Sequence, residues 1–491
     1  MIDKLSDEEL KHAFKTERKP EVVEKQKLNV RYHVEDPVVE GRAQKFLEAF
    51  AAILKNTNYG FVLDQYVRSS AKCSRCATEC QVYQATRDPR DIPCYRSELL
   101  LSVYRRHFTV GGLLKGRLFG SGYLTDEKVN EMAESFWNCT ACRRCSLQCP
   151  VGIDHGLVTH LGRYILSEIG IAPRALVVST REQLEGKTGN TSAIPVPALL
   201  DTLEFLEEDM LEEKQVEIKF PIDQENCEYV FFPAVSDFLM EADTLMGNAA
   251  VFTATGDSWT IGTGYFDGIN YGLFYSDRML DRIVKKVVEE TKRLKGKKIL
   301  IGECGHASRS AKYFVPVFCG GKDAPPVINC MEYLWEQLKK GRIKLDPNVI
   351  TDVVTYHDPC NISRQGWIID KPREILRSFC KNYVDMEPKG MKNICCGGGG
   401  GTVSIDEIRP YRTSIGGKAK AEQVRKTGAK YLVAPCANCK KQLRELMEDQ
   451  GLDVEVVGLH DLVYKAIIFD ESLKKKAQEQ VPQPEESEVE K

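Results

Sequence analysis

Apolar positions follow two different patterns in the two parts of the chain. Before about residue 225 they recur at helical spacing, as in residues 39–54, and helix-like segments also cover residues 97–107 and 126–136. Beyond that point, short β-rich apolar runs alternate with helical stretches such as residues 279–294 and 415–426. Such alternation is typical of parallel α/β units. The chain is therefore predicted to be an α+β multidomain protein, in which a helical part precedes an α/β part.

The strand-like runs of the second part indicate a diverged repeat. They begin at Tyr229, Lys298, Val353, Lys430 and Val454. By placement, the first run corresponds to the third and the second run corresponds to the fourth. The second and fourth runs each lead directly to a cysteine, Cys304 and Cys436 respectively. We therefore expect two pseudo-repeated α/β halves.

These patterns divide the chain into six predicted segments. Residues 6–9 resemble the acidic first turn of a helix, and residues 186–224 combine Gly, Pro and an acidic run. The final residues are rich in Lys, Glu, Gln and Pro, a composition typical of disorder. The predicted segments are a helical N-terminal extension (1–60), a cysteine-rich helical domain (61–185), a linker (186–224), a first α/β half (225–350), a second α/β half (351–470) and a disordered tail (471–491).

Composition narrows the class of protein. The 491 residues include 18 cysteines, and a formal net charge of −3 argues against a nucleic-acid-binding protein. No stretch approaches the roughly 18–20 apolar residues of a membrane span, and the first residues lack the apolar core of a signal peptide. We therefore expect a cytoplasmic chain. In a reducing compartment, clustered cysteines favour metal ligands or reactive thiols over disulfides.

The most specific local motif is the run Cys139-x2-Cys142-x2-Cys145-x3-Cys149-Pro150. Three cysteines on a tight loop can bind three irons of one cubane 4Fe–4S cluster. In bacterial two-cluster ferredoxins, the fourth cysteine of this run binds the other cluster. Zinc sites also use cysteine pairs, but they do not favour this run followed by proline. The run therefore predicts ferredoxin-type clusters.

A second group of cysteines departs from the ferredoxin spacing. It contains Cys73-x2-Cys76-x3-Cys80, with Cys94 downstream, and Glu79 stands where a regular third cysteine would be. Four thiols are still present, so two cubanes can be satisfied. Ferredoxin-like pseudo-symmetry gives one cluster bound by Cys73, Cys76, Cys80 and Cys149, and another bound by Cys139, Cys142, Cys145 and Cys94. An exchange of Cys80 with Cys94 is one alternative, and Cys94 as a buried small hydrophobic residue is another.

A third group of cysteines lies in the second α/β half. It consists of Cys360, the adjacent pair Cys395-Cys396 and the motif Cys436-x2-Cys439, and the pair is followed directly by five glycines. Because glycine has no Cβ, the N–H groups of residues such as Gly397 and Gly398 can come close to a negatively charged inorganic core. A phosphate-binding loop is disfavoured, since the motif G-x-x-x-x-G-K-[ST] is not present. A structural zinc site that uses four of the five cysteines is the alternative.

This third group resembles the CCG domain of the heterodisulfide reductase family. Placed behind a two-cluster ferredoxin-like domain, it is similar to the single-chain catalytic subunit of that family over about residues 60–470. The resemblance implies that residues 61–185 hold two cubane 4Fe–4S clusters. It also implies that the CCG domain, residues 351–470, holds a non-cubane 4Fe–4S cluster that binds and reductively cleaves disulfides. The implied ligands of that cluster are Cys360, Cys395, Cys396, Cys436 and Cys439.

The first α/β half departs from the family pattern. Ala234-Val235 stands where a duplicated CCG domain would have cysteine, and no Cys-Cys pair occurs around residues 262–277. What remains is Glu303-Cys304-Gly305-His306. We therefore interpret residues 225–350 as a degenerate CCG-type half that closes over the cluster of the second half. Cys304 and His306 are then expected near that cluster, as an added ligand or a proton donor, unless they are two ordinary residues at the end of a strand.

Within the family, the segment from Glu303 to Ala307 and the run from Cys73 to Cys80 are most similar to the DsrK branch. These proteins are the cytoplasmic catalytic subunits of Dsr-type membrane complexes of dissimilatory sulfur metabolism. The resemblance implies a disulfide or trisulfide on a small sulfur-carrier protein as the substrate. It also implies a membrane partner with b-type haem that is linked to menaquinol, other redox subunits, and a peripheral position on the inner face of the cell membrane.

Other functions are compatible with the same motifs. One is a subunit of a heterodisulfide (CoM-S-S-CoB) reductase. Another is a non-catalytic electron-transfer subunit of a flavin-dependent 2-hydroxy-acid dehydrogenase, in which the flavin belongs to a partner because this chain has no dinucleotide fingerprint. A zinc-stabilised interaction module is a third. The remaining cysteines are predicted to be ordinary small residues of the core, namely Cys227, Cys319, Cys330 and Cys380.

Overall fold

A computed structural model describes residues 30–34, 40–120, 122–415 and 417–474 of the chain. The predicted helix start at residues 6–9 lies outside these ranges, and so does the tail from residue 475 onward. Residues 471–474, at the start of the predicted disordered tail, form one helical turn. None of the helices within these ranges combines the length and the apolar character needed to cross a membrane.

Helices make up the first part of the chain, as the apolar periodicity predicts. The two helices expected at residues 97–107 and 126–136 are confirmed and extend slightly further than predicted. Pro93 occupies the first turn of the former, where a missing backbone N–H costs little, and the side chain of Thr125 caps the latter. The helices are α1 (Arg42–Asn56), α2 (Tyr59–Ser69), α3 (Gln81–Thr86), α4 (Pro93–His107), α5 (Val110–Phe119), α6 (Asp126–Trp137), α7 (Arg144–Leu147), α8 (His155–Glu168), α9 (Arg174–Glu185) and α10 (Val196–Lys214).

Strands and helices alternate in the second part of the chain. The strands are β1 (Tyr229–Phe232), β2 (Trp259–Thr260), β3 (Lys298–Ile301), β4 (Val327–Asn329), β5 (Lys344–Leu345), β6 (Val354–Tyr356), β7 (Tyr383–Asp385), β8 (Tyr431–Val433), β9 (Glu455–Val457) and β10 (Ile467–Ile468). The helices are α11 (Asp237–Met240), α12 (Ala242–Thr255), α13 (Gly272–Tyr275), α14 (Asp277–Arg293), α15 (Gly305–Phe318), α16 (Cys330–Lys339), α17 (Asp370–Phe379), α18 (Lys418–Arg425), α19 (Ala437–Asp449) and α20 (Leu459–Ala466).

Two parallel four-stranded sheets organise this second part. Their strand orders are β2-β1-β3-β4 and β7-β6-β8-β9, so the first strand of each half lies between the second and the third. All pairings within both sheets are parallel, and the short antiparallel pair of β5 with β10 ties the end of the chain to the first half. The mixed α+β fold class is therefore confirmed, and the two sheets share one strand order.

About half of the segment predicted as a linker is helical. Residues 196–214 form the 19-residue helix α10, although their acidic composition suggests a connecting segment. Its apolar residues recur at intervals of three or four positions and are buried in the main core; they are Leu199, Leu203, Leu206 and Met210. Because this apolar stripe packs against the neighbouring helices, the segment is part of the folded core.

The two α/β halves are held together by a buried carboxylate. Glu303 is fully buried and accepts hydrogen bonds from the backbone N–H groups of Leu459 and His460, at 3.1 and 2.7 Å. Its Oε1 atom lies 2.6 Å from Nδ1 of His460. Close packing accompanies this contact, because a Cβ atom on Gly247 would lie only 2.2 Å from the His460 carbonyl oxygen. The strand ends of the two halves therefore meet at a fixed separation.

Candidate iron–sulfur centres

The ferredoxin-type run forms a compact loop between α6 and α8. Ala141 and Arg143 adopt positive φ angles of 50° and 59°, which winds the backbone around its own cysteines. The N–H of Ala141 donates to Sγ of Cys139 at 3.4 Å, and the N–H of Ile153 donates to Sγ of Cys149 at 3.3 Å. Such N–H donors stabilise thiolate sulfur, the form that binds iron.

Cys80 lies with the ferredoxin-type run. A short 3₁₀ helix over Arg75–Glu79 ends at Cys80 and turns its side chain inward, where Sγ lies 3.6 Å from the Asp91 carbonyl oxygen. One enclosed cavity is lined by Cys80 together with Cys139, Cys142 and Cys145. Burial raises the pKa of the Cys80 thiol to about 12. Four sulfurs are thus presented to one buried space.

Cys94 lies with the first cysteine group. It occupies the first turn of α4, its thiol is hydrogen-bonded to that of Cys76, and the Ser74 hydroxyl lies 3.7 Å from its sulfur. Pseudo-symmetry groups Cys94 with Cys139 and its neighbours, whereas in the structure Cys80 lines the cavity of those thiols and Cys94 contacts Cys76. The positions of the thiols therefore favour the exchanged division.

Buried arginines surround the ferredoxin-type loop. Arg96 is almost fully buried, donates from Nε to the Ser135 carbonyl oxygen at 2.7 Å, and lines the same cavity as the four thiols. Arg163 is fully buried and donates to carbonyl oxygens on two different loops, those of Cys139 and Gly400. A buried positive charge stabilises nearby thiolates and negatively charged clusters. Neither of these two roles was predicted from the sequence.

The five cysteines of the CCG group line a second enclosed cavity. They are Cys360, Cys395, Cys396, Cys436 and Cys439, and they share it with His306, His357 and Asn361. Sγ of Cys396 lies 3.5 Å from Sγ of Cys439. Hydrogen bonds from Cys395 and Cys439 lower the pKa of the Cys396 thiol. The predicted ligands are therefore brought together, and the network favours a thiolate, which metal binding requires.

The glycine run serves this cavity in two ways. The N–H groups of Gly397 and Gly398 donate to the sulfurs of Cys395 and Cys396, each at 3.4 Å. The next glycine contacts the ferredoxin-type loop, because a Cβ on Gly399 would lie 2.4 Å from the Thr140 carbonyl oxygen. The first role matches the prediction for Gly397 and Gly398. The second role was not predicted.

The two cysteine groups meet at Cys142 and Cys395. These thiols are hydrogen-bonded to one another, although 253 positions separate them in the numbering of the chain. Arg364 supports the junction by donating from Nη1 to the Cys142 carbonyl oxygen at 2.7 Å. The site predicted for the catalytic cluster and the nearest ferredoxin-type site are therefore direct neighbours.

Cys304 and His306 lie at the edge of the CCG cavity. Cys304 precedes α15 as Cys436 precedes α19, and each N–H donates at 2.7 Å to the carbonyl two residues earlier. Nδ1 of His306 lies 3.2 Å from Sγ of Cys304, and both side chains are hydrogen-bonded to the Cys436 thiol. The first α/β half thus brings both residues to a predicted ligand.

Two further polar residues near the CCG thiols were not found from the sequence. The ammonium group of Lys420 is buried, and Nζ donates to Oδ1 of Asn393 at 2.9 Å. Burial lowers its pKa to about 7, opposed by attraction from Asp358 and from the thiols. A ligand atom of His357 lies within 4.8 Å of Cys396 and Cys439. Lys420 looks in sequence like any surface lysine of an amphipathic helix, so no pattern would have selected it.

The donor sets fit iron–sulfur clusters. None of the 18 cysteines forms a disulfide, although several thiols converge in each of two enclosed cavities. Backbone N–H groups donate to four of the sulfurs, and buried guanidinium groups supply compensating charge. Of the four cysteines left unassigned, Cys227, Cys330 and Cys380 are buried as ordinary core residues, and Cys319 is only partly buried.

Comparison with known proteins finds the same two cysteine-rich regions. Residues 354–444 match the family model of the cysteine-rich CCG domain, and residues 71–153 match that of the 4Fe–4S dicluster domain. An Hdr-like menaquinol oxidoreductase iron-sulfur subunit 2 from Archaeoglobus fulgidus is 27% identical, covering 86% of this chain and 83% of its own length. The chain is therefore heterodisulfide reductase-like, with a CCG domain behind a 4Fe–4S dicluster domain. These similarities support an iron–sulfur oxidoreductase of the 4Fe–4S type.

Two further relatives are also redox subunits. One subunit of the dihydromethanophenazine:CoB–CoM heterodisulfide reductase from Methanosarcina barkeri is 23% identical, over 81% of this chain and 93% of its own length. One subunit of the fumarate reductase (CoM/CoB) from Methanothermobacter marburgensis is 32% identical, but over only 38% of this chain. The similarities to the Archaeoglobus and Methanosarcina proteins cover more than four fifths of this chain.

Proposed function

We propose that this chain is the iron–sulfur subunit that takes electrons from a quinol-linked membrane partner and reduces a disulfide or trisulfide at its CCG site. The contact between Cys142 and Cys395 carries the proposal. It joins the ferredoxin-type thiols to the CCG thiols without intervening protein. An arrangement of this kind suits electron delivery to a reactive centre.

The thiol positions support a specific ligand assignment. We assign one cubane to Cys80, Cys139, Cys142 and Cys145, and the other to Cys73, Cys76, Cys94 and Cys149. Cys360, Cys395, Cys396, Cys436 and Cys439 would hold the non-cubane cluster. When bound, these clusters supply one-electron transfer and a metal centre that takes up substrate sulfur.

The residues around the CCG thiols would keep water away from the reacting sulfur, stabilise negative charge and supply a proton. Four of the five CCG thiols are buried, which would keep water from the reacting sulfur. The N–H groups of Gly397 and Gly398 stabilise negative charge on the sulfurs of Cys395 and Cys396. Two sheets of equal strand order and two equivalent cysteines, Cys304 and Cys436, support the duplication proposed from sequence. The imidazole of His306 would supply the proton that a leaving thiolate takes up.

The relatives support a membrane-bound assembly. Their names describe a menaquinol oxidoreductase and a dihydromethanophenazine-linked reductase, both of which use lipid-soluble electron carriers. Helix α5 exposes large apolar side chains, which is the kind of surface that a partner covers; they are Val110, Leu113, Leu114, Leu118 and Phe119. We propose a haem-bearing membrane subunit and other redox subunits as partners, a small sulfur-carrier protein as the substrate, and a position on the cytoplasmic face of the membrane.

Paired cysteine substitutions test the ligand assignment. Each of Cys80→Ser, Cys94→Ser and Cys142→Ser is expected to lower the iron content from about twelve to about eight per chain. Because Cys80 and Cys142 are assigned to the same cluster, their double substitution should also leave about eight irons. The Cys94→Ser/Cys142→Ser double should leave about four. Analysis of iron and acid-labile sulfide measures the cluster content of both double variants. About four irons in the Cys80→Ser/Cys142→Ser double and about eight in the Cys94→Ser/Cys142→Ser double would instead support the division given by pseudo-symmetry.

The function itself is tested on the anaerobically purified chain. We expect about twelve irons per chain and an electron paramagnetic resonance signal of the oxidised protein that changes when a thiol or disulfide is added. About eight irons and a signal indifferent to substrate would instead indicate an electron-transfer subunit whose chemistry resides on a partner. Zinc in place of iron would leave only an interaction module.

A further inference from the structure

An open cleft lies between the ferredoxin-type loop and the two α/β halves. Its volume is about 400 Å³, within the range of small-ligand sites. Leu147 and Tyr313 are exposed on its lining, and three arginines from three different segments line it as well. They are Arg143, Arg309 and Arg364.

The positive charge of this cleft is only partly neutralised. Asp154 is the one carboxylate among the described residues of the lining, and it already pairs with Arg143 at 3.4 Å and caps the N-terminus of α8. Arg364 donates to three carbonyl oxygens. In the described part of the chain, Arg309 makes one long hydrogen bond, to Oδ1 of Asn361 at 3.4 Å, and no ion pair with a carboxylate.

The surroundings of Arg309 disfavour the positive charge of its guanidinium group. Burial, together with the neighbouring Arg143, lowers the pKa of Arg309 to about 9. Beside it, both polar atoms of the Gln365 side chain are buried without a hydrogen-bond partner among the described residues. A guanidinium and an amide of this kind supply several N–H donors with a fixed geometry, which suits an oxyanion.

Asn361 connects the cleft to the CCG cavity. It accepts the hydrogen bond from Arg309 on the side of the cleft, and it also lines the cavity of the five thiols directly after Cys360. A charged group held by Arg309 would therefore lie next to Asn361, which borders the cavity of the thiols.

We propose that this cleft is the substrate entrance and that Arg309 and Gln365 bind an oxyanion carried a few bonds from the sulfur of the disulfide. The inference rests on the proposed function and adds to it the chemical class of the substrate, an anionic thiol or its disulfide. A carboxylate can belong to a small molecule or to the C-terminus of a carrier protein, and the chemistry of recognition is the same for both.

Binding to the iron-loaded full-length chain tests this assignment by calorimetry. The probes are 3-mercaptopropionate and its neutral analogue 3-mercaptopropan-1-ol, which differ only in the charged group. We expect the unaltered chain to bind the anion at least about ten-fold more tightly than the neutral analogue, because only the anion offers a charged group to the hydrogen-bond donors of Arg309 and Gln365. Arg309→Gln should bring the ratio close to one, Arg309→Lys should keep part of it, and Arg278→Gln, an exposed arginine on α14, should keep all of it.

Two further comparisons make the outcome decisive. A cysteinyl peptide with a free C-terminal carboxylate, tested against its amide, tells whether a chain end is accepted in place of a small molecule. Equal binding of the anionic and neutral thiols by the unaltered chain, or an unchanged ratio in Arg309→Gln, would overturn the assignment. If the ratio behaves as expected but no disulfide is reduced, the proposed function fails and the anion site remains.

Discussion

Cys396→Ser is expected to abolish disulfide reduction while both cubane clusters remain. Cys396 is buried among the CCG thiols, 3.5 Å from Cys439, and it accepts an N–H bond from Gly398. A serine hydroxyl is not a thiolate and does not replace it as a ligand of iron. We expect about eight irons per chain instead of about twelve, no measurable reduction of a disulfide by the chemically reduced protein, and unchanged cubane signals. Cys395→Ser should have the same effects.

Cys319→Ser provides the matched control. It is the same chemical change at a partly buried cysteine that lies at the end of α15, outside both thiol groups. It should keep about twelve irons and full activity. Loss of the cubane signals in a folded Cys396→Ser protein would show that the ligands are divided incorrectly. Full activity in that variant would remove the CCG site from catalysis.

Gly399→Ala is expected to separate the two cysteine groups without removing any ligand. The added methyl group would lie 2.4 Å from the Thr140 carbonyl oxygen, so one of the two loops must move. Thr140 lies between Cys139 and Cys142, and its displacement would disturb the contact of Cys142 with Cys395. Misplacement of reacting groups by about 1 Å can cost about 100-fold in rate, and we expect a loss of that order in oxidation of the reduced cubanes by a disulfide.

Rapid-freeze measurement of the cubane signals in a single turnover gives this rate directly. Gly111→Ala is the control, since Gly111 lies in α5 and a Cβ there meets nothing within 4 Å. Both variants should keep about twelve irons, which separates slow transfer from lost clusters. Cubane oxidation at the normal rate in Gly399→Ala would mean that electrons do not cross the junction of Thr140 with the glycine run.

The regular elements of the fold were largely predictable because their signals are local. All five strand-like runs form strands, and the helices expected at residues 279–294 and 415–426 are present as α14 and α18, the latter shorter. The strands that were missed, such as β2 and β4, have two or three residues and carry little periodicity. The acidic stretch that forms α10 was assigned to a linker because its composition outweighed its apolar stripe.

The candidate site was predictable only as far as cysteine spacing determines it. Spacing selected the candidate thiols, but it does not determine whether Cys80 or Cys94 lies beside Cys139, which depends on the three-dimensional path of residues 75–94. Arg163, Arg309 and Lys420 were missed for another reason. An arginine or lysine on a helix is usually solvated, and only tertiary packing buries it beside a cluster site.

The packing of the glycine run against Thr140 has a consequence for the maturation of the protein. Arg163 donates to carbonyl groups of both loops and so ties the ferredoxin-type loop to the glycine run once the two parts have docked. The cleft lined by Arg309 is then the proposed approach to the CCG thiols. Insertion of iron and sulfide before docking would not depend on that cleft, so we expect the delivery machinery to act on an open intermediate of the newly made chain.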